Sequence, residues 1–251
     1  MNGLRQSVFA SVGINKMARE PKLATVLKAL ISHGLFQHGA VLDVGAHRGQ
    51  EALMFSAWFP DKIIVAVDPI HSNYAQIVAN KQKHDAWNIW PIRAALGSAE
   101  GVGHYNEAID SGPPWAAQIG VPGFLVWKGH NTGVVAYKIK TVDSVLQMPV
   151  SFMHIDVEGS EIDVLQGAEQ TIRRYHPILT VETHEKTHVK PFMLLMTYLR
   201  TRGYVCYEVL ERCGVPECRN NLCVPNPLPE SLAHSLPIQE RTHEGSSSQP
   251  R

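Results

Sequence analysis

The chain has no net formal charge, because 23 Lys and Arg residues balance 23 Asp and Glu residues. No overall field therefore recruits nucleic acid or an anionic membrane surface, and neither is an expected partner. Residues 1–16 lack the basic segment, apolar run and small-residue cleavage site of a secretory signal, so a cytoplasmic protein is expected. A membrane span is missing too. The longest charge-free stretch, residues 111–127, is broken by Gly112, Pro113, Pro114, Gly120, Pro122 and Gly123, which excludes a spanning helix. Cysteine is scarce and late. Cys206, Cys213, Cys218 and Cys223 do not form paired C-x-x-C units, so free thiols are expected in place of a zinc site or a disulfide framework. There is no internal repeat, and nothing sets an oligomeric state.

With 251 residues, 44% of them hydrophobic, the chain can bury one sizeable α/β core. The reading is an N-terminal helical segment over 1–38, a main domain over 39–225, and a tail over 226–251. The tail carries proline and serine but few large apolar residues, and is expected to be disordered.

The main domain is organised around residues 41–49, VLDVGAHRG. An apolar run stops at Asp43 and gives way to a turn bearing Gly45 and Gly49, the entry of an α/β nucleotide-type site. Asp68 follows Gly49 by about 20 residues, at the end of the second apolar run, where such folds place the acid that bonds ribose hydroxyls. A dinucleotide fingerprint needs a middle glycine so that the backbone can approach a pyrophosphate. That position holds His47. S-adenosylmethionine has a ribose but no pyrophosphate, so these residues favour it over NAD. Asp43, Gly45, Ala46, His47, Gly49, Asp68 and Pro69 are the candidate cofactor residues. Ala94, after the third strand, either leaves room for an adenine ring or simply packs tightly.

Periodicity predicts helices opening at Pro21, after Gly49, over 72–84, over 141–146, from Ser160 (with Asp163 as a capping box) through Tyr175, and over 191–202. Strands are predicted at 41–44, 63–67, 89–92, 135–140, 150–156 and 177–182, with a closing pair at 204–209 and 221–224. Between Gly97 and Val134 the periodic signal fades. That segment reads as an excursion near the site, with His104, Tyr105, Trp115 and Trp127 as candidate substrate contacts or ordinary packing aromatics.

Four strand ends supply acids: Asp43, Asp68, Asp156 and Glu182. His154 lies two residues before Asp156, and His184 two after Glu182. The expectation is a cleft with one set of carboxylates on the cofactor and a second around the transferring atom. Asp156, on either set, Glu182, His184 and His154 are the catalytic candidates, and a histidine base would remove a hydroxyl proton. Asp156, Glu182 and His184 could instead hold a divalent ion that orients the acceptor, which their spacing alone does not establish. Glu158 either joins them or only favours the positive end of the next helix.

At these residues the chain resembles the FkbM-type methyltransferases, whose pattern is D-V-G-A-x-x-G, an acid–proline pair, a T-L-D-like segment and I-D-V-E-G-x-E. Here these are residues 43–49, Asp68-Pro69, residues 141–143 and residues 155–161, with Leu165-Gln166-Gly167-Ala168 and Glu182 also fitting. The resemblance implies a class I, Rossmann-like fold with an open, mostly parallel twisted sheet and helices on both faces. It also implies S-adenosylmethionine as donor and O-methylation of a sugar or other small hydroxylated acceptor. Two departures stand out: Asp68 replaces the usual glutamate, and His154 stands where lysine is frequent. The competing readings are a nicotinamide-dependent oxidoreductase and a non-catalytic cofactor-binding module on the same fold.

Overall fold

The computed structural model describes residues 20–106, 134–184, 189–211 and 218–241. In chain order the first elements are α1 (Pro21–Ser32), β1 (Ala40–Val44), α2 (Gln50–Trp58), β2 (Ile64–Val67), α3 (His71–Lys83) and β3 (Ile89–Ile92). Next come β4 (Ala95–Leu96), β5 (Gly101–Asn106), β6 (Val134–Lys140), α4 (Val142–Val145), β7 (Val150–Ile155), α5 (Glu161–Gln166) and α6 (Glu169–Tyr175). The last are β8 (Ile178–His184), α7 (Val189–Arg200), β9 (Val205–Val209), β10 (Cys218–Val224), α8 (Glu230–Ser235) and β11 (Ile238–Glu240).

The main sheet has the order β11-β9-β10-β8-β7-β1-β2-β3. The five strands from β8 to β3 are parallel, and β10, β9 and β11 close it antiparallel. Every residue of β1, β2 and β7 is buried, as a parallel strand covered on both faces must be. Val41, Ala66 and Phe152 pack beneath α1, α2, Ile77 of α3 and α8. Leu42, Val65 and Met153, one residue out of phase, pack beneath α4 to α7, following strand alternation. The chain moves outward from β1 to β3 and then returns to β7 on the other side of β1. The carboxyl ends of β1 and β7 therefore flank the topological switch, where open α/β sheets bind ligands.

Four local expectations change. The helix expected from Ser160 to Tyr175 is two, broken where Gly167 meets another backbone: a Cβ there would lie 2.0 Å from the Gly97 carbonyl oxygen. Ser160 makes no side-chain cap; the capping box is Thr141 with Ser144 at the start of α4. The segment after Gly97 is not irregular throughout, since β5 pairs antiparallel with β6 in a small second sheet. Residues 226–241 are folded, in contrast to the tail expected from composition. Leu228 and Leu232 are buried, and β11 extends the sheet beyond β9.

The cysteines also differ from expectation. Cys206 and Cys223 are register partners on β9 and β10 and form a disulfide, with Cα atoms 4.1 Å apart. Cys218 is likewise disulfide-bonded, and no described cysteine is free. Pairing across antiparallel strands leaves no C-x-x-C signature, which is why the spacing concealed it.

Candidate active site

The turn after β1 places Gly45 (φ 81°), His47 (φ 47°) and Gly49 (φ 81°) in left-handed backbone conformations. Gly45 is required twice over. Its φ suits glycine, and a Cβ there would lie 1.9 Å from the Asp156 carbonyl oxygen. The Asp156 N–H in turn donates to the Val44 carbonyl at 3.0 Å, so the ends of β1 and β7 touch through backbone alone.

The turn is tied to β2 as closely. Gly45 and Ala46 N–H groups both donate to the Val67 carbonyl at 3.0 Å. The His47 N–H donates to Asp68 Oδ2 at 2.9 Å. Asp68 Oδ1 accepts from the Ile70 N–H at 2.9 Å and from Asn73 Nδ2 at 3.1 Å. Asp68 thus clasps the two turns together. Asp43, Gly45, Ala46, His47, Gly49, Asp68 and Pro69 are gathered at the carboxyl ends of β1 and β2. Ala94 is buried in the core under α4 to α7. A groove of about 640 Å³ is lined by Tyr74, Arg93, Val102, Ala136, Tyr137 and Lys138; Tyr137 belongs to one buried cluster with Ile70, which follows Pro69. His104 is exposed on β5; Trp115, Trp127 and the Tyr105 side chain lie outside the described residues.

The second group forms at the ends of β7 and β8. After Asp156 the chain turns sharply through Glu158 (φ 53°) and Gly159 (φ 108°). Glu158 Oε2 then lies 3.3 Å from His184 Nε2, and Glu182 Oε1 lies 4.0 Å from the same nitrogen. Oxygens of Asp156, Glu158 and Glu182 come within 4.8 Å of one another, a hard-donor set of the kind divalent cations take. The hydrogen bond that His184 Nε2–H donates to Glu158 holds the His184 pKa above its ordinary value, with burial opposing and the charges of Glu158, Glu161 and Asp156 adding to the rise. Glu161 is buried and accepts from the Gly159 N–H at 2.7 Å. Burial pushes its carboxyl up to about 7, and the neighbouring Asp156 and Glu158 charges push the same way.

The structure thus brings Asp156, Glu182 and His184 together and adds Glu158 to them. Glu161, which the sequence shows only as the last letter of its motif, stands close enough to Asp156 and Glu158 to feel their charges. His154 does not join them. It is buried in the sheet, its Nδ1 is 2.9 Å from Thr180 Oγ1, and its ring stands edge-on to Phe55 at 5.7 Å. It is the register partner of Asp43. This environment is that of a hydrogen-bonded structural histidine. The strand parity of Thr180 and His154 across β7 and β8 was the signal that could have shown it.

A doubly wound sheet with this turn and these strand-end acids defines a class I methyltransferase-type α/β domain. The chain belongs to the family of the methyltransferase FkbM domain, which it matches over residues 43–206. Its fold is similar to the methyltransferase FkbM of Methylobacillus flagellatus, with 13% identity, a TM-score of 0.55, and coverage of 78% of this chain and 47% of that one. The chain thus spans about half the length of that protein. An rRNA methylase of Streptococcus thermophilus is similar with 10% identity and a TM-score of 0.48, over 79% of this chain and 93% of that one. No curated protein matches in sequence. Family membership displaces the nicotinamide oxidoreductase reading. Among the described residues no helix is long and apolar enough to cross a membrane.

Proposed function

We propose that the protein transfers a methyl group from S-adenosylmethionine to a hydroxyl oxygen of a sugar or other small hydroxylated acceptor. The observation that carries this reading is the His184 imidazole held between Glu158 and Glu182, beside a β1 turn that contacts Asp156 through Gly45. The donor supplies an electrophilic methyl on a sulfonium, and its transfer to a hydroxyl releases one proton. His184 Nε2 takes that proton. Glu158 orients the ring and stabilises the imidazolium, the role a carboxylate plays beside a catalytic histidine. Asp43, the turn at Gly45 to Gly49, and Asp68 hold the methionine and ribose ends of the donor, with Ala46, His47 and Pro69 shaping the wall. Asp156 stands between the two halves. The oxygen set of Asp156, Glu158 and Glu182 offers a divalent cation a place from which to orient the acceptor.

The balanced charge of the chain supports a small-molecule or glycan acceptor over nucleic acid. The paired cysteines support an oxidising compartment over the cytoplasmic setting that the start of the sequence suggested. The test is calorimetric titration with S-adenosylmethionine and with NAD, each with and without Mg²⁺, followed by an acceptor screen. Saturable binding of S-adenosylmethionine alone, and turnover on a hydroxylated acceptor, is the expected result. Binding without turnover on any acceptor favours a non-catalytic module, and a magnesium requirement for turnover assigns the oxygen set to a metal.

A further inference from the structure

Cys218 stands directly opposite His184 in the antiparallel register of β8 and β10. Its sulfur, a His184 ring nitrogen and a Glu182 carboxylate oxygen lie within 4.8 Å of one another. Cys218 is fully buried and Glu182 nearly so, so this set faces inward from the oxygen set that shares Glu182 with it. It also differs in kind. Thiolate, imidazole and carboxylate together form the borderline-soft set that Zn²⁺ binds tetrahedrally, with a fourth position left to water. In this structure the sulfur is held in a disulfide, and it is the thiolate that ligates metals.

We propose that Glu182, His184 and Cys218 form a zinc site that exists only when the Cys218 disulfide is reduced, and that zinc bound there withdraws His184 and Glu182 from the acceptor. The inhibitory half of this inference rests on the proposed roles of His184 and Glu182; metal uptake does not. With a phosphine as reductant, its phosphorus attacks one sulfur and the S–S bond breaks. Water supplies the oxygen of the resulting phosphine oxide and the two protons of the thiols. On metal entry the Cys218 thiol loses its proton to solvent as the sulfur–zinc bond forms. The enzyme is thereby silent in a reducing, zinc-containing setting; it is released when an external disulfide accepts two electrons by thiol–disulfide exchange, the Cys218 disulfide re-forms as zinc leaves, and the reduced carrier takes up one proton from the second thiol and one from solvent.

The test uses the full chain, oxidised and phosphine-reduced, titrated with Co²⁺ as a spectroscopic stand-in for Zn²⁺. Reduced protein is expected to gain one equivalent of a thiolate-to-cobalt charge-transfer band, which added Zn²⁺ abolishes; oxidised protein gains none. Cys218→Ser removes the band, and His184→Ala weakens cobalt binding by at least the roughly tenfold that loss of an outer-shell partner costs. No band in the reduced wild type overturns the proposal, as does a band that survives in Cys218→Ser. Where Cys218→Ser does not fold, unchanged cobalt affinity in His184→Ala overturns it. S-adenosylmethionine calorimetry on the same oxidised sample separates the two readings. Donor binding to the oxidised sample with no cobalt band in the reduced one sinks the zinc site alone, whereas a cobalt band in the reduced sample with no donor binding to the oxidised one supports the site and sinks the methyltransferase assignment of its residues.

Discussion

Replacing Gly45 by alanine tests whether the contact between β1 and β7 builds the donor site. Three glycines share a left-handed backbone but differ in surroundings. A Cβ at Gly34 (φ 65°) would meet nothing within 4 Å; at Gly49 (φ 81°) it would meet Ile77 Cγ1 at 3.1 Å; at Gly45 (φ 81°) it would meet the Asp156 carbonyl oxygen at 1.9 Å. Gly34→Ala therefore isolates backbone strain, about 1–2 kcal/mol, less the 0.4–1 kcal/mol or so gained by stiffening the unfolded chain. Gly49→Ala adds little, because an isoleucine side chain can shift. Gly45→Ala cannot be relieved that way, since the obstacle is backbone fixed by the Asp156 N–H bond to Val44. Its overpacking cost is about 1–3 kcal/mol more, for a total of roughly 2–4 kcal/mol. At about 2–4 °C per kcal/mol for a chain of this size, the melting temperature falls by roughly 5–15 °C. The turn must also move off β7, so S-adenosylmethionine affinity should drop in Gly45→Ala and hold in Gly34→Ala. Calorimetry and thermal denaturation of the three variants measure both quantities. If Gly45→Ala matches Gly34→Ala in melting temperature and donor affinity, the backbone contact does not organise the site.

The pH dependence of stability should carry the mark of Glu161. Its folded pKa of about 7 lies above its ordinary 4.5, so its contribution is whole below about pH 4.5 and is lost as pH rises through 7, by roughly 3 kcal/mol. Glu161→Gln should then be more stable than wild type in urea at pH 8 and no better at pH 4.5; the opposite order refutes the burial argument. The raised His184 pKa stabilises the fold below the ordinary histidine value and ceases to do so as pH rises through the raised one. Glu158→Gln should lower that pKa, seen by NMR titration of the ring, and move the acidic limb of the pH–rate profile to lower pH; an unmoved titration excludes Glu158 as the cause. The Cys206–Cys223 bond closes a 17-residue separation, so the Cys206→Ala, Cys223→Ala double variant should lose about 3 kcal/mol in denaturant unfolding. A loss below about 1 kcal/mol would show that the strand pairing alone supplies the constraint.

Features set by short-range pattern were legible in the sequence. β1, β2, β7 and β8 were readable because strands buried on both faces are near-continuous apolar runs; β3, at the sheet edge with Trp90 exposed, was readable only as a shorter run, and the β1 turn was readable because only glycine suits residues 45 and 49 there. Asp156, Glu182 and His184 could be placed together because strand ends in this architecture converge. What depended on contacts between distant segments was not legible. The break at Gly167 follows from Gly97, 70 residues earlier; the disulfide follows from the register of β9 with β10; and the folded state of residues 226–241 rests on Leu228 and Leu232 meeting the core. The surroundings of His154 were hidden for a related reason. Strand alternation placed it on the same face as Asp156, but Phe55 of α2 covers that face one step below the strand end.

The charges at the strand ends decide how the proposed chemistry is divided. Asp156, Glu158 and Glu182 put three carboxylates beside one imidazole. A sulfonium donor is positive before transfer and neutral after it, so nearby carboxylates favour the bound reactant over the transition state. On that side of the reaction Asp156, whose backbone meets the β1 turn at Gly45, tightens donor binding and does not lower the barrier. The acceptor side has the opposite sign. A hydroxyl proton passing to His184 turns the Glu158–His184 contact into a carboxylate–imidazolium pair, which strengthens as the reaction proceeds. That pair can supply the 10²–10⁴-fold or so of a placed base. Asp156→Asn should accordingly raise the donor Kd with a smaller change in kcat, while Glu158→Gln should lower kcat and leave the donor Kd nearly unchanged. Single-turnover rates at saturating donor, set beside calorimetric Kd values, separate the two effects. If Asp156→Asn lowers the transfer step more than it weakens binding, the acids act on the transition state and the division of labour at the strand ends is wrong.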